Sequence, residues 1–243
     1  MRISFIRTML IGIALVAMTS AATATQPLRK ERVDLLLCLA ADVSRSVNFE
    51  RFQLQRNGYA AALVDKRVLQ AISSGPYGRI GVVYIEWSGH VEQKTIVDWA
   101  IIDGLDSAQH FAEQLIETPR PFAGRTAIGT AIESCLQALF ESPYDAEKKT
   151  IDISGDGINN EGRAPSSARN DAVREGAVIN GLPILSPIPM PWNPEHTHPP
   201  GGLEKYYYDN VIAGEGAFVV VAEGHASFAS AIVKKMIAEI AMR

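Results

Sequence analysis

The order of apolar runs and helical patterns predicts an α/β three-layer sandwich, with a mostly parallel central sheet, an antiparallel edge strand and helices on both faces. Three observations carry this. Short apolar runs of strand length alternate with amphipathic stretches almost throughout. Two of those runs, ending at Asp42 and just before Asp156, close on carboxylates. A turn at Ser88-Gly89-His90 joins two further strand-like runs as a hairpin.

In chain order, residues 33–41 are apolar except for Asp34, as expected of a strand buried on both faces of a parallel sheet. Residues 49–69 carry apolar side chains at helical spacing behind Ser46 or Asn48 as N-cap, and predict one long helix. Residues 79–87 and 91–99 are the hairpin strands. Helices are expected at 107–117, 127–140 and 163–175, and strands at 150–154 and 177–185. The remainder predicts a short helix at 206–212, a strand at 217–222 and an amphipathic final helix at 226–242. Between the last two strands, residues 183–202 hold seven of the chain's thirteen prolines, which excludes regular helix or a central strand and predicts a surface loop.

The 243 residues fit one large domain from about residue 30 to 243, with no internal repeat. Residues 1–24 have the pattern of a secretory signal. Arg2 and Arg7 precede an apolar run from Met9 to Met18, and Ala22-Thr23-Ala24 offers a cleavage site. The run is shorter than the roughly 20 residues that span a bilayer, and no cysteine stands at the cleavage point to accept a lipid. The expectation is export to a periplasm or the medium without a membrane anchor. The signal carries Arg2 and Arg7 and no acidic residue, so its removal takes the formal charge from −4 to −6, which argues against a nucleic-acid partner. Cys38 sits in a strand-like run and Cys135 in a helix-like one, and the favoured reading is two buried free thiols.

The chemistry lies at the strand ends. Asp42-Val43-Ser44-Arg45-Ser46 puts a carboxylate and two hydroxyls at alternate positions in the turn after the first strand, and Gly155-Asp156-Gly157 follows a second buried strand. The carboxyl ends of parallel strands share one crevice, so Asp42 and Asp156 are expected to meet there. Two carboxylates brought together repel unless one is protonated or a cation separates them, and neighbouring hydroxyls suit a hard ion such as Mg²⁺. Singly, Ser44, Ser46 or Thr126 is more often a helix cap, and the aspartates are ordinary turn residues. Together they are specific.

Asp42-x-Ser44-x-Ser46, a later Thr126 at a helix start and Asp156 after a strand resemble the metal-ion-dependent adhesion site of von Willebrand factor type A domains. Gly58-Tyr59-Ala60-Ala61, Tyr84-Ile85-Glu86-Trp87, Arg120-Pro121-Phe122 and Ser154-Gly155-Asp156-Gly157 resemble a bacterial domain-of-unknown-function family of exported A-like proteins, over roughly residues 33–240. The resemblance implies direct coordination by hydroxyls, some carboxylates acting through water, and an open position for an acidic side chain of a partner protein. It implies Mg²⁺, with Mn²⁺ or Ca²⁺ as alternatives, and a binding module, not an enzyme. One departure is Gly155, where the wider superfamily has threonine, which leaves open whether Ser154 replaces the missing hydroxyl.

Three other readings compete. Gly155-Asp156-Gly157-Ile158-Asn159-Asn160 resembles the metal motif of haloacid dehalogenase-like phosphatases with Asp42 as nucleophile, but the acid/base carboxylate that chemistry needs two residues later is Ser44. A metal that only stabilises the fold is the second. Glu195, His196 and His198 are a weak zinc pattern without a third placed ligand, and with Trp192 they lie on a loop that topology puts on the metal-bearing face. Of Tyr206, Tyr207 and Tyr208, at least one is expected in the core, because consecutive helical residues cannot share a face.

Overall fold

The computed structural model describes residues 30–241; the signal-peptide reading of residues 1–24 lies outside them. Five strands form the central sheet: β2 (Leu35–Asp42), β3 (Ile80–Trp87), β4 (Gln93–Ile102), β6 (Lys148–Gly155) and β7 (Ala177–Pro183). Their order is β4-β3-β2-β6-β7, with β4 antiparallel to β3 at one edge and all other pairs parallel. A two-residue pair, β1 (Glu31–Arg32) with β5 (Tyr144–Asp145), stands apart.

Side-chain alternation along β2 sorts the core into two layers. Leu35, Leu37, Leu39 and Ala41 face one side, with α1 (Phe49–Leu63), α2 (Lys66–Ser73), α3 (Leu105–Glu117) and α8 (Phe228–Ala241), the last entered through a 3-10 turn at His225–Ser227. Leu36, Cys38 and Ala40 face α4 (Ile128–Glu141), α5 (Pro165–Arg174) and α7 (Leu203–Asn210). Burial on both faces is why β2 and β3 read as nearly unbroken apolar runs, whereas β6, buried from Thr150 onward, alternates isoleucines with Thr150, Asp152 and Ser154.

The differences from expectation have local causes. Asp34 lies outside the strand because its carboxylate accepts the backbone N–H groups of Tyr77 (2.9 Å) and Arg79 (3.2 Å). The single helix over 49–69 is two helices, because Asp65 caps the second through Arg67 N–H at 2.8 Å. Residues 217–222 form no strand: they meet β7 at the isolated bridge of Val219 to Gly181 and through Phe218 N–H to Asn180 Oδ1 at 3.1 Å, and the residue after β7 at the bridge of Ala222 to Ile184. The proline-rich segment holds one short helix, α6 (Pro194–Thr197), and buries His196 and Thr197 instead of lying wholly on the surface. Tyr207 is the core tyrosine of its triplet, and Tyr208 is exposed.

Cys38 and Cys135 form a disulfide, Cα to Cα 5.8 Å, which corrects the free-thiol expectation. Cys38 points from β2 to the α4 layer and Cys135 from α4 to the sheet, so two apolar neighbourhoods are one. Closing a loop of 97 residues restricts the unfolded chain by about 4–5 kcal/mol on the loop-entropy model.

The opposite layer buries charge. Lys235 Nζ lies 2.7 Å from Asp152 Oδ1 and is also bonded to Glu239, while Asn180 Nδ2 donates to Glu239 Oε1 at 3.0 Å. All four side chains are buried, so one cation serves two carboxylates in a dry core. Burial pushes the Asp152 carboxyl up to about 7, with Lys235 opposing and Glu239 adding to the rise. The folded chain therefore holds a proton that the unfolded carboxyl, near 3.9, releases, and the stability gained from it is present below about pH 4 and lost as pH rises through about 7. Urea midpoints between pH 5 and 8 should fall less steeply in Asp152→Asn than in the parent; parallel slopes would remove Asp152 as the titrating group.

Candidate metal centre

Five loops converge at the carboxyl edge of the sheet. Val43 N–H donates to Trp87 O and Arg45 N–H to Gly124 O, each at 2.9 Å, which joins the turn after β2 to the end of β3 and to the loop before α4. Ala127 N–H reaches Ser88 O at 2.8 Å, Asn160 N–H reaches Thr126 O at 2.9 Å, and Ile158 N–H reaches His196 O at 2.9 Å. Through these bonds Asp42, Ser44, Ser46, Thr126 and Asp156 come to one place although up to 114 residues separate them.

Asp42 Oδ1 accepts Ser44 N–H at 2.7 Å, so one of its oxygens has the turn role that any Asp could serve. Ser44 Oγ lies 3.1 Å from Ser46 Oγ, and Ser46 Oγ donates to Asp156 Oδ1 at 2.5 Å. None of the three hydroxyls caps a helix. Asn48 caps α1 by accepting Arg51 N–H at 2.9 Å, and α4 starts from Ala127 without a side-chain cap. The Thr126 hydroxyl instead lies 3.3 Å from His196 Nε2.

Asp42 Oδ2 and Asp156 Oδ2 are buried without a hydrogen-bond partner. Arg51 Nη1, 3.6 Å from Asp156 Oδ2, is the cation beside them. Burial, and then the charge of Asp156, push Asp42 up to about 8; burial likewise raises Asp156, with Ser46 and Arg51 opposing. Two orphaned carboxylate oxygens beside three hydroxyls are a donor set of hard oxygens, which suits Mg²⁺, Mn²⁺ or Ca²⁺. Among the described residues no three His, Cys, Asp or Glu side chains gather to hold a metal, so the Glu195, His196 and His198 pattern makes no zinc site. His198 turns to Thr197 Oγ1 at 3.0 Å, and His196 faces Thr126.

Sequence reasoning missed the residues that hold this loop cluster. Arg120 Nη2 lies 2.6, 3.1 and 2.9 Å from the carbonyl oxygens of Val43, Ser44 and Val47, so one guanidinium gathers the turn that carries the hydroxyls. It stacks over Phe52, which Arg56 also covers. Arg56 pairs bidentately with buried Glu86, at 2.7 and 3.0 Å, and donates to Leu115 O at 2.9 Å, which ties α1 to β3 and to the end of α3. Asn160 aligns the other wall, accepting Thr126 N–H at 2.9 Å and standing 3.4 Å from His196 Nδ1. Arg120 and Glu86 lay within the quoted family motifs, yet their type and spacing gave no sign of which carbonyls or cations they meet.

The question at Gly155 has a steric answer. A Cβ there would stand 2.8 Å from the Tyr207 hydroxyl and 3.0 Å from Asp42 Oδ2, so threonine does not fit beside Tyr207. Ser154 does not replace the hydroxyl: it points to the other layer, where Tyr59 OH donates to its Oγ at 2.9 Å. A Cβ on Gly157 would collide with the His196 imidazole, so both glycines of the Gly-Asp-Gly turn make room for neighbouring rings.

A parallel-centred sheet between two helical layers, with an acidic and hydroxylic crevice at its carboxyl edge, defines a von Willebrand factor type A-like α/β domain. Residues 32–243 match the family described as "Protein of unknown function (DUF1194)", and the chain belongs to that family. No curated protein matches the chain significantly. Among solved structures, the pilus adhesin SpaC from Lactobacillus rhamnosus GG in its open conformation aligns over 86% of this chain and 31% of its own, at TM-score 0.58 and 14% identity. Proximal thread matrix protein 1 from the mussel byssus, with a zinc-occupied MIDAS motif, aligns over 86% and 48% at TM-score 0.54 and 16% identity. A von Willebrand factor type A protein from Catenulispora acidiphila aligns over 86% and 43% at TM-score 0.52 and 12% identity. The chain thus spans less than half the length of each, and the likeness is one of fold.

Arg120→Ala should lower stability by about 2 kcal/mol, because three loop carbonyls lose their shared donor. Arg120→Lys should recover less than half of that, since an ammonium cannot reproduce the planar fork. Urea unfolding of the three proteins decides this, and a lysine variant as stable as the parent would reduce Arg120 to a point charge.

Proposed function

We propose that this chain is an exported, non-enzymatic adhesion-type module, acting in a periplasm or outside the cell. Asp42, Ser44, Ser46, Thr126 and Asp156 hold one divalent cation whose coordination an acidic side chain of a partner protein completes. The observation that carries the reading is the pair of buried oxygens without a hydrogen-bond partner, Asp42 Oδ2 and Asp156 Oδ2, the second with Arg51 at 3.6 Å, among hydroxyls free of capping duty. A cation there offsets the burial and the neighbouring Asp156 charge that raise Asp42.

Mg²⁺ is the favoured ion on the chemistry of the donors, with Mn²⁺ and Ca²⁺ as alternatives. The fold neighbours support the general reading, since one is a pilus adhesin and another carries zinc in the corresponding motif. The Cys38–Cys135 bridge supports an oxidising compartment, as does the signal-like start. No helix among the described residues is long and apolar enough to cross a membrane.

When bound, the ion supplies a Lewis-acidic position for a carboxylate. The chain's own part is to hold Ser44 and Ser46 at fixed spacing, to keep Asp156 against Ser46, and to present Thr126 from the opposite wall. A hydrolase of the phosphatase type fits less well, because Ser44 Oγ stands beside Ser46 where that chemistry needs a carboxylic acid.

Calorimetric titration of Mg²⁺ and Mn²⁺ into the mature chain in chelator-stripped buffer should show one saturable site, lost in Asp42→Ala and in Asp156→Ala. The same ions should raise the melting temperature of the parent but of neither variant. Ion binding that survives both substitutions would place the metal elsewhere and end this reading.

A further inference from the structure

Eleven large hydrophobic side chains are exposed among the described residues, and four of them exceed two-thirds exposure: Phe49 (69%), Val91 (77%), Ile188 (71%) and Trp192 (72%). All four lie at the carboxyl edge of the sheet. Phe49 opens α1 just after the Ser44–Ser46 turn, Val91 is in the turn between β3 and β4, and Ile188 and Trp192 stand on the proline-rich loop after β7. Among the described residues the opposite edge exposes no large hydrophobic side chain to that degree. The most exposed apolar side chains gathered along one rim cost solubility without core benefit, which marks an interaction face.

Two arginines stand next to the hydroxyls. Arg45 separates Ser44 from Ser46, and Arg125 immediately precedes Thr126. Both are exposed and line a cavity of about 210 Å³ together with Ser46, Thr126, Trp192 and His196. Arg45 has no acidic or hydrogen-bonding partner for its guanidinium among the described residues, and Arg125 donates only to the Asn160 carbonyl at 2.8 Å, with Glu161 near enough to feel its charge. The two arginines place exposed positive charge at the mouth of a site that buries the acidic Asp42 and Asp156, in a chain of net charge −4.

From this juxtaposition we infer the chemistry of the partner: an exposed protein segment with two neighbouring acidic side chains and an adjacent aromatic or aliphatic residue. One carboxylate reaches the ion, the second is held by Arg45 and Arg125, and the apolar residue packs on Trp192 and Ile188. The inference rests on the ion-bridged reading above, but its specificity comes from side chains that are not ligands. Arginine matches a carboxylate with two parallel N–H donors, and tryptophan supplies a large desolvating surface, so these are the residue types expected to dominate such a contact. The prolines around Trp192 reduce the entropy lost when the loop is pinned.

The test pans a phage-displayed random-peptide library against the Mg²⁺-loaded mature chain, then measures the best synthetic peptide by fluorescence anisotropy. Selected sequences should share two closely spaced acidic residues beside an apolar one. The Arg45→Ala/Arg125→Ala double variant should bind the peptide about tenfold or more weakly, and Trp192→Ala similarly, while both still bind Mg²⁺ by calorimetry. Asp42→Ala or chelator should abolish binding. A peptide lost in Asp42→Ala but unaffected by the arginine and tryptophan variants overturns the inference and leaves the ion-bridged function standing. Binding that ignores chelator and Asp42→Ala but needs the arginines sinks the ion bridge and retains the face. A library that yields no acidic, apolar consensus overturns the inference outright.

Discussion

The structure is organised around an unfavourable encounter: two carboxylates, Asp42 and Asp156, brought together out of water at the ends of adjacent strands. β2 and β6 pair in parallel with Ala41 opposite Ser154, so the residues that follow must leave the sheet side by side. Parallel pairing requires crossovers that return every chain to the same edge, and the first residues of each outgoing loop therefore meet. A carboxylate at the end of one strand is an ordinary turn residue. Two at neighbouring ends, each with a buried oxygen that accepts no hydrogen bond and with Arg51 3.6 Å from that of Asp156, are the arrangement on which the proposed cation site rests.

The loops that carry these side chains are held by residues outside the five candidate donors. Arg120 gathers the carbonyls of the Asp42–Val47 turn, Arg56 and Glu86 anchor the helix that follows, and Asn160 with His196 sets Thr126 against the opposite wall. None of these is among the five proposed donors. They determine where the hydroxyls stand, as the shell around a metal site orients its ligands. The proline-rich loop belongs to this shell, since it turns His196 inward while leaving Trp192 in solvent.

Polar burial is distributed unequally between the two layers. The disulfide closes the layer that contains α4, and the Lys235, Asp152, Glu239 and Asn180 cluster ties α8 to β6 and β7 in the other. A cross-link acts mainly on the unfolded chain, whereas a buried charge cluster imposes geometry on the folded one and is costly when any member is left alone. The final helix is thus held to the sheet by directional contacts as well as by apolar packing.

Much of the fold was legible in sequence, because strands buried on both faces are continuous apolar runs and their helices are periodic; the central strands and the antiparallel edge hairpin follow from that pattern alone. The five candidate donors were legible too, since the carboxylates and hydroxyls sit at fixed offsets from strand ends and helix starts. The sequence also showed that residues 183–202 are irregular, a local property of proline. What lay beyond it was every feature that depends on which side chain meets a distant one. Cys38 and Cys135 each looked like core residues, and only the stacking of α4 on β2 made them partners. The break at Asp65 and the loss of a strand at 217–222 turned on a cap and on missing ladder partners. The absence of a hydroxyl at Gly155 became intelligible once Tyr207 was seen to occupy that space, and Arg120 became a clamp once three carbonyls converged on it. Local sequence records propensity and period, which act over a few residues. Long-range pairing, steric exclusion and the direction of a guanidinium are decided by the tertiary structure, because each depends on atoms that the neighbouring sequence does not contain.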